Sequence, residues 1–199
     1  MSFKKETFQR RETAILDAAT YLFGSKGYDL MTMNDVANAV GIAKPSLYKH
    51  FKSKEDLAAA ALSRLIDQAL AFLQTLPEDM DAYAKLKSLL TWGLQIRIDG
   101  GMPFLPSTNA PMREMLMRNQ YYISRILQLN ALILGFIQTA KQQKMLNSEL
   151  PDEVILFNYY ARSCDPTLDY LRLYSQLSPK EILNHLEKIS FSGVCYVKN

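Results

Sequence analysis

The sequence predicts an all-α protein, with a three-helix unit at its N-terminus and a larger helical domain after it. Three observations predict this. Apolar residues recur at spacings of three and four, as in Ile15, Leu16, Ala19, Leu22 and Phe23 and again in Val36, Ala37 and Val40, which is the period of a helix with one buried face. Helix-start signals stand where such stripes open: Thr32 before Asp35, Ser53 before Asp56, and Ser178-Pro179-Lys180-Glu181. Gly and Pro number only 8 each among 199 residues, so long segments run without a breaker. With 48% apolar and 22% charged residues, the composition is that of an ordered globular chain, long enough to bury a core in one or two domains.

Taken in order, the first helix covers Thr7 to Lys26 and stops at Gly27. Leu30 or Met33 can staple the next one, which begins at Met33 with Thr32 and Asp35 capping its free amides. Gly41 is where the chain leaves that helix, since glycine takes the left-handed conformation at little cost. A third helix can follow at once, because Pro45 suits a first turn. Ser53 caps a fourth helix running from Lys54 to Leu76, ahead of Pro77. The fifth spans Asp81 to Ile98 and ends at Asp99-Gly100-Gly101. Next comes Met-Pro-Phe-Leu-Pro-Ser-Thr-Asn-Ala-Pro (102–111), a loop with one short helical turn at most. The segment from Met112 to Leu146 would make a rod of roughly 50 Å if unbroken, so a break is expected near Asn119 to Tyr122. Pro151-Asp152-Glu153 opens another helix, in which Asp165-Pro166 predicts a kink or a restart capped by Asp165. The last helix runs from Ser178 to near Gly193.

The stretch 32–51 carries the chemistry. Ala37 at the crossing, Gly41 in the turn, Ile42 as a plug and Leu47 and Phe51 pointing inward form the pattern of a helix-turn-helix. The outward face is then Ala43, Lys44, Pro45, Ser46, Tyr48, Lys49 and His50, which can contact or donate to a DNA backbone or base edge. Thr32 and Lys54 add candidate phosphate contacts, Lys54 beside the unpaired amides of a helix start. Charge is skewed the same way: nine of the 23 Lys and Arg but only five of the 20 Asp and Glu lie at or before Lys54. That surplus of four, against +3 for the whole chain, leaves the remainder close to neutral.

The same region resembles the TetR family of bacterial transcriptional regulators. The resemblance rests on the first 70 or so residues: Leu22-Phe23 with Lys26-Gly27-Tyr28, Thr32 opening the second helix, Val36-Ala37 with Val40-Gly41-Ile42, and the run Ser46 to Leu57. It implies a DNA-binding domain over 1–53, a linking helix over 54–76, and an effector-binding and dimerisation domain over 54–199. It also implies a homodimer held by the helices around Val154–Tyr174 and Pro179–Ser192, reading a palindromic double-stranded operator and released by a small apolar or aromatic effector. Ala43 departs from the Ser or Thr often found there in the family, so the third helix has a weaker start.

Other classes find less support. No metalloprotease, hydrolase, P-loop or dinucleotide-binding pattern is present, and the chain is expected to be no enzyme and to need no metal or cofactor. Asp165 and Asp169 read as a cap and as a partner for Arg162 or Arg172, and Cys164 and Cys195 as buried thiols. The basic start lacks the apolar core of a signal peptide, and no uninterrupted apolar run of about 18 residues occurs, so a cytoplasmic protein without a membrane partner is expected. Aromatic residues and methionines between Trp92 and Tyr160 suit either a core or a pocket, and Trp92, Ile96, Phe104, Tyr121 and Arg125 are the candidate pocket residues. The rival to an effector-responsive regulator is a DNA-binding protein of the same fold that recruits a protein partner and takes no small molecule.

Overall fold

A computed structural model describes residues 3–102 and 110–193, and they form helices and turns with no strand among them. The N-terminal unit is α1 (Phe3–Leu30), α2 (Met33–Val40) and α3 (Lys44–Leu47). Then come α4 (Lys54–Thr75), α5 (Ala82–Ile98), α6 (Ala110–Leu116), α7 (Gln120–Gln142), α8 (Asp152–Cys164), α9 (Thr167–Tyr174) and α10 (Pro179–Ser192). The fold is all-α, as expected.

Side-chain caps hold most boundaries, at Ser178 as read from the sequence and at Asp81 and Asn119 besides. Asp81 accepts from the Ala84 amide at 2.7 Å, Asn119 from Tyr122 at 3.0 Å, and Ser178 from Glu181 at 3.4 Å. Asn119 is therefore the expected break ahead of the long helix. The restart at Asp165 is equally local, its carboxylate accepting from the Thr167 amide at 2.8 Å. Both ends of α1 differ, since it starts at Phe3 rather than Thr7 and runs past Lys26, and the staple differs too. Gly27 leaves helical geometry (φ 78°), yet one further turn to Leu30 continues past it, because the Met31 amide reaches back to the Gly27 carbonyl. Leu30 is exposed while Met31 and Met33 are buried, so the staple falls on the methionines.

One apolar core runs through the whole fold. Ile15, Ala19, Phe23, Val36, Leu47 and Phe51 fill the N-terminal unit and meet Leu57, Leu62 and Ile66 of α4, which continue into Leu86, Leu90, Leu129, Ile133 and Ile137 of α5 and α7. α7 is the one helix among the described residues long and apolar enough to cross a bilayer on length and composition. Its inner stripe, Leu129, Ile133 and Ile137, is fully buried against the neighbouring helices, and its Arg125 and Lys141 form ion pairs with Asp67 and Asp152. α4 lies between the two parts. Its Arg64 binds Asp17 at 2.7 Å and the Thr13 carbonyl of α1, and one turn later its Asp67 accepts from Arg125 (2.5 Å) and Tyr121 (2.8 Å) of α7. A second junction is steric: a Cβ at Gly24 of α1 would stand 2.5 Å from the Gly100 carbonyl oxygen at the end of α5, so only glycine permits this approach.

Candidate functional site

The helix pair is built as its sequence directs. Thr32 accepts from the Asp35 amide at 3.1 Å and its own amide donates to the Asp35 carboxylate at 2.9 Å, a reciprocal cap. These contacts, led by the Thr32 hydroxyl and followed by its amide and Lys26, hold the Asp35 carboxyl down at about 2. Gly41 adopts φ 71°, ψ 34°, and the Ile42 amide closes the turn onto the Ala37 carbonyl at 3.0 Å. Leu47 and Phe51 point into the core. α3 itself is a single turn, Lys44–Leu47, followed by turn bonds from Lys49 to Ser46 and from His50 to Leu47. Ala43 supplies no side-chain cap, which accounts for part of this shortness.

The outward face survives the shortening. Ala43, Lys44, Pro45, Lys49 and Tyr48 are exposed, Tyr48 by 41%, and Ser46 is half-buried. Lys44 and Lys49 form no ion pair among the described residues, so both ammonium groups are available. Lys52, exposed in the next turn, belongs to the same basic edge and was legible only as part of the run Lys49, Lys52, Lys54.

His50 is a correction to the outward set. Only 3% of its side chain is exposed, its ring stacks on Phe8 at 4.0 Å, and its Nδ1 lies 3.8 Å from Glu12, too far for a hydrogen bond. The apolar stripe of α1 begins about two turns earlier than Ile15, at Phe8, and covers the imidazole; the spacing of Phe8, Glu12 and Ile15 was the signal for it. Thr32 is exposed, but its hydroxyl is taken up in the cap. Lys54 is also engaged: its ammonium donates to the Asp29 carbonyl at 3.2 Å and sits 4.4 Å from the Tyr28 ring centroid. Burial first, then Glu55, pushes the Tyr28 hydroxyl up to about 12, and Glu55 and Asp56 place negative charge at the start of α4.

In the C-terminal part, the candidate pocket residues do not converge. Trp92 stacks on Phe72 at 5.3 Å and, with Ile96, walls an open groove of about 670 Å³ between α1, α4 and α5. Tyr121 and Arg125 are instead bound to Asp67. Phe104 lies outside the described residues. A second, more enclosed cleft of about 260 Å³ lies between α5, α7, α8 and α10. At the centre, Tyr159 donates to the Leu86 carbonyl at 3.0 Å and Tyr160 to Asn130 at 2.7 Å, and burial raises both hydroxyls well above the usual phenol range. No cluster of His, Cys, Asp and Glu suited to a metal occurs among the described residues. Asp165 pairs with Arg162 at 3.2 Å, whereas Asp169 pairs with Arg97 at 2.6 Å rather than with Arg172.

The profile of bacterial regulatory proteins of the tetR family matches residues 15–61, the segment that builds this helix pair and its supports. Over this segment the chain is similar to the TetR family. Among its relatives, the HTH-type transcriptional repressor KstR2 of Rhodococcus jostii is 35% identical over 82 residues, which is 41% of this chain and 40% of that protein. The transcriptional activator FasR of Mycolicibacterium smegmatis is 38% identical over 61 residues, 31% of this chain and 28% of that protein. The chain thus matches well under half the length of either. Over the full fold, the transcriptional regulator FadR from Bacillus subtilis, solved in complex with stearoyl-CoA, superposes with a TM-score of 0.64 at 15% identity, over 92% of this chain and 99% of FadR. The likeness of fold thus extends through the C-terminal part of the chain.

Proposed function

We propose that the chain is a dimeric, ligand-responsive transcriptional regulator, a repressor that leaves a palindromic operator when a small apolar or aromatic effector enters its C-terminal domain. The observation that carries this reading is the row Ala43, Lys44, Pro45, Tyr48 and Lys49, exposed on a Gly-turned helix pair whose other faces are spent on the core. Lys44, Ser46 and Lys49 address base edges and nearby phosphates, while Thr32, Tyr48 and Lys54 fix the register on the backbone. Residues 1–53 bind DNA, and α4 carries the signal from the domain over 54–199. Repressor and activator relatives both occur, and KstR2, with the longer match of the two, favours repression. FadR, crystallised with an acyl-CoA, supports an effector with a large apolar part.

Selection of double-stranded DNA from a random pool by the purified chain tests this. The expected outcome is a palindromic motif with half-sites about one helical turn apart or wider. Retention of DNA without any common motif would sink the operator reading.

A further inference from the structure

We propose that the cleft between α5, α7, α8 and α10 binds a short apolar carboxylate, with Arg162 taking the carboxylate and the aliphatic walls taking the tail. The walls are mostly hydrocarbon: Leu86, Leu90, Ile137, Leu146, Ile155 and Phe191. Among the described residues, Arg162 is the one charged residue lining the cleft. Its guanidinium is only partly satisfied. One Nη lies 3.2 Å from the Asp165 carboxylate as an ion pair, but Nε is buried and has no acceptor among the described residues. A buried donor without a partner is costly, and a carboxylate is the acceptor that fits a guanidinium edge with two parallel bonds. The neighbouring Tyr159 hydroxyl cannot serve a ligand in that way, because it is spent on the Leu86 carbonyl.

Volume sets the length of the tail. About 260 Å³ holds roughly eight or nine groups the size of a methylene or a water. An octadecanoyl chain, with about twice that number of methylene-sized groups, exceeds it. The Trp92 groove is a poorer site for an anion, since its one cation, Arg64, is already paired with Asp17 and Asp99 stands on its rim.

Binding at this cleft is independent of the DNA reading; only its role as the effector site rests on it. Calorimetric titration of the full chain with octanoate and with octan-1-ol tests the site. Octanoate should bind roughly tenfold or more tightly than the alcohol, the gain of a charge-assisted bond out of water. Arg162→Leu should erase that preference, and Arg162→Lys should keep part of it. Equal binding of acid and alcohol, no binding of octanoate, or an unchanged preference in a folded Arg162→Leu chain would overturn the proposal. If Arg162→Leu does not fold, the comparison of acid with alcohol on the unaltered chain decides. Selective octanoate binding that leaves the operator complex intact would uphold the site and overturn the effector role.

Discussion

Lys49 and Lys54 look interchangeable in the sequence and are unlike in the structure. Lys49 is exposed and forms no ion pair, so a phosphate meets a free ammonium group. Lys54 would have to leave the Asp29 carbonyl and the Tyr28 ring, and it stands beside Glu55. Phosphate contacts release counterions, and each one lost lowers the salt slope of binding by about one. Lys49→Ala should therefore weaken binding to unrelated DNA and at least as much to the operator, and flatten the slope by about that amount. Lys54→Ala should flatten it less. Filter binding across a salt series checks both, and a larger change for Lys54→Ala would reverse the ranking.

At the level of elements, the helix-turn-helix stands on local chemistry. Thr32→Ala removes the cap of α2 and should cost about 1 kcal/mol of stability, measured by urea unfolding. The same cap sets an acid limit. Because Asp35 falls from its ordinary 3.8 to about 2 on folding, its contribution is complete above pH 4 and is lost as pH drops through 2. Circular dichroism in acid should show Thr32→Ala unfolding at a higher pH than the parent chain; coincident acid midpoints would dissociate Asp35 from the acid limit.

These features were legible because caps, the Gly41 turn and the Pro45 start act within a few residues. The same holds for the break at Asn119 and the restart at Asp165. What was hidden depends on distant partners. The inward turn of His50 needs Phe8 on another helix, and the separation of Trp92 from Arg125 needs Asp67 on a third. Arg162 read in the sequence as a partner for an acid; its unpaired Nε and its place on a cleft wall appear only once four helices are assembled.

At the scale of the molecule, α4 is gripped on both sides, by Asp17 through Arg64 and by Tyr121 and Arg125 through Asp67. Gly24 keeps α1 against the end of α5, so a movement in the C-terminal domain has two routes to the helix pair. In the proposed dimer, such a movement would change operator affinity by altering the distance between two recognition turns. The interface proposed for it, on the helices around Val154–Tyr174 and Pro179–Ser192, exposes Phe157 by 62% and Leu173 by 72%, with Val154, Tyr170, Tyr174 and Ile189 also exposed. Large apolar side chains left in water favour association, because their solvation is unfavourable. A charge placed there would have to be buried unpaired in the assembled dimer. Phe157→Glu combined with Leu173→Glu should therefore give a folded single chain by light scattering, with unaltered helical circular dichroism. A palindrome would then be bound at least about tenfold more weakly, because the two half-sites no longer share one assembly. A double variant that stays dimeric would move the interface away from α8 and α9.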